Sequence, residues 1–120
     1  MLRETRKEEK NPGKERWKDV ARLRELDRTA TEYLTIDLWD DDKMVRLAAV
    51  ETLGLLRDSR AYEHLLPLLS DDDRDIRFAT AVALGELGDK RAVIPLEKAC
   101  ADSSRYVRAA SLDSILKLGT

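Results

Sequence analysis

Only one cysteine, Cys100, and one histidine, His64, occur in the 120 residues, and that scarcity closes two routes to function. A lone thiol forms no intrachain disulfide, and one cysteine with one histidine cannot supply the four ligands of a structural zinc site. Aromatic residues make up 5% of the chain against 38% charged, a balance closer to a helix-rich, salt-bridged surface than to a β-sandwich or a disulfide scaffold. No run of about 18 uninterrupted apolar residues is present to span a bilayer. The opening Met1-Leu2-Arg3-Glu4 lacks the apolar segment of a secretory signal, so a soluble, cytoplasmic protein is expected. There is no Ser/His/Asp set, no glycine-rich phosphate loop, and no carboxylate pair apart from those that suit helix caps. The chain is therefore expected to be no enzyme, with no catalytic residue, no cofactor and no metal.

What is present is self-similarity. A shift of 31 residues lays Val45-Arg46 on Ile76-Arg77 and on Val107-Arg108, Leu53-Gly54 on Leu84-Gly85, and Leu56 on Leu87 and Leu118. The same shift lays Asp58-Ser59-Arg60-Ala61 on Asp89-Lys90-Arg91-Ala92, and Leu34 on Leu65 and Leu96. Within each unit the apolar spacing is helical, as in Ile76, Thr80, Ala83, Leu84 and Leu87, which share one face at about 100° per residue.

Each unit reads as a helix pair. The second helices are expected at roughly 43–57, 74–87 and 105–118. They are opened by Asp42, Asp73 and Ser104 as N-caps, and Gly88 and Gly119 close the last two. The first helices are expected at roughly 30–39, 59–69 and 90–101, opened by Thr29 with Glu32 in capping-box spacing, then by Asp58 and Asp89. Pro67 and Pro95 fall inside these helices and predict a kink or a broken first turn in each. Upstream, Trp17, Val20, Ala21, Leu23 and Leu26 suggest a further capping helix over 14–28. Residues 1–12, nearly all charged, are expected to form a disordered tail. The fold class is thus all-α: an α-solenoid of three repeats (29–57, 58–88 and 89–119) behind an N-terminal cap, in a single domain over 13–120.

The run Ile76-Arg77-Phe78-Ala79-Thr80-Ala81-Val82-Ala83-Leu84-Gly85-Glu86-Leu87-Gly88-Asp89-Lys90-Arg91-Ala92-Val93-Ile94-Pro95-Leu96 closely resembles the HEAT-like repeat of phycobilisome lyases. The resemblance covers 29–119. It departs at Arg57, where a glycine is expected, at Leu116 in place of the Leu-Gly glycine, and at Tyr33 and His64 in place of Pro95. The family implies an α-solenoid whose second helices line a concave surface, but its members range from chromophore lyase subunits to adaptors and hydroxylases. The hydroxylases build a di-iron centre from several His-Glu pairs, which a single histidine cannot provide, and His64 reads as an exposed helix residue.

The sharpest functional feature lies on the outward face of the second helices. Met44, Leu47, Leu55, Phe78, Val82 and Tyr106 form an apolar stripe where water-facing residues should be polar, with Val50 beside them. Charges including Lys43, Glu51, Arg74, Asp75, Glu86, Arg105, Asp113 and Lys117 rim it. An apolar centre with a charged rim is the pattern of a protein-binding patch, although packing between adjacent second helices should consume part of it. The repeating Arg46, Arg77 and Arg108 read as a structural ladder forking onto carboxylates, because the rim alternates in sign and does not offer the uniform positive charge that nucleic acid needs. The clusters Asp40-Asp41-Asp42 and Asp71-Asp72-Asp73 read as turn and cap residues, since neither belongs to a calcium loop. Cys100 aligns with Leu38 and Leu69 and reads as a buried filler.

Two functions are compatible with these residues. One is a non-catalytic scaffold that recognises a protein or peptide partner on its concave face, with no nucleic acid or membrane ligand. The other is a bilin-lyase-related subunit acting with a partner chain. The core-side series Ala49, Thr80, Ser111 and Thr52, Ala83, Ser114 becomes more polar toward the end, which favours a closed monomer over an end-to-end homodimer.

Overall fold

The computed structural model describes residues 12–119, with side chains from residue 21 onward. It is all-helical over those residues: α1 (Pro12–Asp37), α2 (Lys43–Leu56), α3 (Tyr62–Leu65), α4 (Arg74–Leu87), α5 (Val93–Ala99) and α6 (Arg105–Leu118). The second helices α2, α4 and α6 fall within one residue of the expected bounds, and α4 packs extensively on both of its neighbours. The architecture is an α-solenoid. A continuous core runs through it, with Leu38, Leu53, Leu65, Ile76, Leu84 and Leu96 fully buried.

The first helices of repeats two and three are short and interrupted by 3₁₀ turns. A 3₁₀ turn (Ser59–Ala61) leads into α3, and a second (Leu66–Ser70) carries Pro67 near its start. A 3₁₀ turn (Lys90–Ala92) likewise precedes α5, which places Pro95 in its first turn, where its missing N–H removes no helical bond.

Three local expectations are corrected. No break separates a capping helix over 14–28 from a first helix at 30–39, because α1 runs through both. Thr29 does not cap. Its Oγ1 donates to the Glu25 carbonyl at 2.9 Å one turn back, the bond that a threonine makes inside a continuing helix. Leu23 is 60% exposed and forms no lid over the first repeat. The side chains of Trp17 and Val20, and the tail at 1–11, lie outside the described residues.

Asp42 and Asp73 cap α2 and α4, accepting from the amides of Met44 and Asp75 at 2.8 Å. Ser104 makes no side-chain cap. Two residues ahead of each second-helix cap, Asp40, Asp71 and Asp102 accept from the amides of Asp42, Asp73 and Ser104, so the acidic turns are held together by their own backbone. At the far ends Gly88 and Gly119 adopt left-handed backbone. Arg57 adopts it too, with φ 55°, a position where an L side chain costs about 1–2 kcal/mol.

The polar drift toward the last repeat also has a different cause from the one expected. Ser111 and Ser114 do not meet water: both are buried, and each donates to a carbonyl, Ser111 to Val107 in its own helix and Ser114 to Ala81 in α4 at 2.6 Å. Ser114 sits against Gly85, where an added Cβ would meet its Cβ at 2.6 Å, and Gly54 stands against Ala83 in the same way. These glycines let successive second helices approach closely. On α6 the equivalent forward-facing positions are Leu112 and Leu116, 55% and 70% exposed. The closed monomer thus loses the support drawn from a polar final repeat.

Candidate binding groove

A groove of about 470 Å³ runs between α2 and α4 on the side away from the first helices. Leu47, Glu51 and Leu55 form one wall, Phe78 and Val82 the other. Ala79 and Ala83 line it as well, with Asp75 and Glu86 on the rim. The two alanines were not among the expected site residues. Their signal is small size recurring four residues apart at one register, as in Ala48-Thr52, Ala79-Ala83 and Ala110-Ser114. The groove exists because these positions stay small while the flanking ones are large. Phe78 remains 41% exposed, although α4 is otherwise the most enclosed of the second helices.

A notch of about 260 Å³ continues the groove toward α6, lined by Arg74, Asp75, Phe78, Ser104 and Tyr106. Phe78 belongs to both. Arg105 lies over the Tyr106 ring, with its guanidinium carbon 5.0 Å from the ring centre, and Nη2 donates to the Tyr106 hydroxyl at 3.1 Å.

Nine of the fourteen stripe and rim residues thus line one connected surface: Leu47, Glu51, Leu55, Arg74, Asp75, Phe78, Val82, Glu86 and Tyr106. Arg105 joins it through its stacking on Tyr106. Met44 is 68% exposed but lines neither hollow. Asp113 also lines neither, and pairs within its own helix with Lys117 at 3.5 Å. Val50 is not part of the stripe. It is fully buried, because the packing of α2 on α4 takes it.

Charges at the mouth are arranged unequally from repeat to repeat. Lys43 Nζ reaches Asp73 at 3.0 Å and Asp75 at 2.7 Å, and their hydrogen bonds, Asp75 first, hold its pKa above the ordinary lysine value. Arg74 is the residue equivalent to Lys43 one repeat later. There Ser104 and Tyr106 replace the two aspartates.

Each arginine of the ladder is tied to the turn before its own helix. Arg46, Arg77 and Arg108 each donate through Nη1 to two carbonyls of the preceding turn: Asp40 and Asp41, Asp71 and Asp72, and Asp102 and Ser103. Arg77 also forks onto Asp102 of the next repeat, at 2.9 and 3.2 Å. Burial raises the Asp102 pKa, but the bonds from Arg77 and the Ser104 amide more than offset it, and the carboxyl stays below its usual range.

A larger hollow, about 670 Å³, lies on the opposite side between the first helices of repeats two and three, with Leu66, Leu69, Ile94, Pro95 and Lys98 in its wall. Part of its polar lining is committed internally, in the Arg77–Asp102 fork and the bond from Arg77 to the Asp71 carbonyl. The α2–α4 groove has the more apolar lining of the two, and is the better candidate for an external ligand. His64 is exposed, and Cys100 is half-buried where full burial was expected. Among the described residues no cluster of His, Cys, Asp or Glu is arranged to hold a metal ion. No helix among them is long and apolar enough to cross a membrane.

A family model describing HEAT repeats matches residues 31–115, and the chain belongs to that family. HEAT repeats generally mediate protein interaction and scaffolding and are typically non-catalytic. No curated protein matches the sequence significantly.

Proposed function

We propose that the protein is a non-catalytic binding module that takes a protein or peptide segment in the groove between α2 and α4. The observation that carries this reading is the accessible apolar wall of Leu47, Leu55, Phe78 and Val82, gathered in one groove and edged by Glu51, Glu86 and Arg74. Apolar surface left open in this way, with charge around it, stabilises association when covered. The ladder arginines each bind turn carbonyls and the rim alternates in sign, which favours a protein partner over nucleic acid. A monomer in the cytoplasm completes the reading, and what supports it is Leu116, whose bulk stands where Gly54 and Gly85 admit the next second helix and so opposes stacking of copies in the repeat register. The lyase-related alternative rests on the likeness of residues 76–96, and the groove adds nothing to it.

Selection of a random twelve-residue peptide library against the purified protein tests the proposal. Enriched peptides should lose binding at least about tenfold to Phe78→Asp, a change that places a charge in the centre of the apolar wall. Peptides that bind the variant and the parent equally would refute the groove.

A further inference from the structure

The groove has a polarity that its apolar lining does not require. At its α6 end the charge of Arg74 has no carboxylate within ion-pair distance among the described residues, in contrast to Lys43 at the equivalent place, which is neutralised twice. Arg105 stands beside it on the Tyr106 ring, also without a carboxylate among the described residues. At the other end Glu86 and Glu51 line the groove, and neither has a cationic partner among the described residues. Arg74 and Glu86 are the first and the thirteenth residues of α4, which puts them about 18 Å apart along the axis at about 1.5 Å per residue.

Unpaired charges of opposite sign at the two ends of an apolar trough select a ligand of complementary pattern, by attraction at the correct ends and repulsion at the wrong ones. From this we infer that the partner is an amphipathic segment whose apolar side covers Phe78 and Val82. One end sets a carboxylate at Arg74, Arg105 and Tyr106. The other sets a cation at Glu51 and Glu86, about three helical turns away. The inference rests on the groove being the binding surface and adds which chemistry it recognises.

Four labelled synthetic peptides with one shared leucine–alanine stripe test it by fluorescence anisotropy on the full chain. They differ only at two end pairs twelve residues apart: Glu and Lys, Gln and Gln, Lys and Lys, or Glu and Glu. The Glu/Lys peptide should bind about tenfold more tightly than the Gln peptide, since several exposed pairs of a few tenths to 1 kcal/mol each act together. Molar salt should erase that difference. In Arg74→Glu/Arg105→Glu, which places acids in the first turns of α4 and α6 where helices accept them, the Lys/Lys peptide should become the tightest. Equal binding of all four peptides, abolished by Phe78→Asp, would overturn the charge pattern and leave the groove standing. No binding by any of them would overturn both.

Discussion

Leu84 is fully buried in the middle repeat, on a helix with a neighbouring second helix on each side, so its side chain cannot be removed without leaving a void. Leu84→Ala should cost about 2–5 kcal/mol. Gly85→Ala, which drives a Cβ against Ser114, should cost about 1–3 kcal/mol through overpacking. His64→Ala, on an exposed face, should cost under about 0.5 kcal/mol. Urea unfolding of the three variants checks the order, and equal losses would contradict the register of the repeats. That register was legible: Leu84 recurs with Leu53 at 31 residues, and both are buried. Ser114 was not, because a serine on a core face reads as tolerance of water until the carbonyl of Ala81 is seen beside it. Val50 misled for a related reason. A helical wheel separates inside from outside but does not show the flank that the next repeat covers.

At the scale of the element, the turns carry charge that is committed to structure. Asp58 opens the 3₁₀ turn before α3 and accepts the Arg60 guanidinium as well as its amide, and these bonds, the guanidinium first, pull its pKa down from 3.8 to about 2. Asp89 repeats the arrangement with Arg91 and is lowered too. A carboxylate held below its unfolded value adds stability above that value and loses it as pH falls through the folded pKa. The urea midpoint should therefore drop between about pH 4 and pH 2, and Asp58→Asn should show a shallower drop that meets the parent near pH 2. Parallel curves would contradict the role of this pair. Capping aspartates were visible in the sequence because they recur at the repeat spacing. The continuity of α1 was not. A threonine followed three residues later by glutamate reads as a helix start, yet Thr29 binds the Glu25 carbonyl instead, and nothing local decides between the two bonds. Ser104 makes no cap either, although Asp102 holds its amide just as Asp40 and Asp71 hold those of the capping Asp42 and Asp73.

Over the whole molecule, the stack of second helices and the interruption of the first helices in repeats two and three were readable from periodicity and from two prolines. The outer stripe was readable only in part, since its floor depends on Ala79 and Ala83, small residues that carry no chemical signal of their own. The molecule also offers two rival hollows on opposite sides, and the central claim is that the smaller one, between α2 and α4, is where a partner sits. Backbone amide chemical-shift mapping of the labelled full chain, titrated with the Glu/Lys peptide, tests this most directly. The account predicts shifts concentrated at Leu47, Leu55, Phe78, Val82 and Tyr106, with Ile94 and Lys98 unmoved. Shifts gathered instead at Leu66, Ile94 and Lys98, with Phe78 silent, would contradict it.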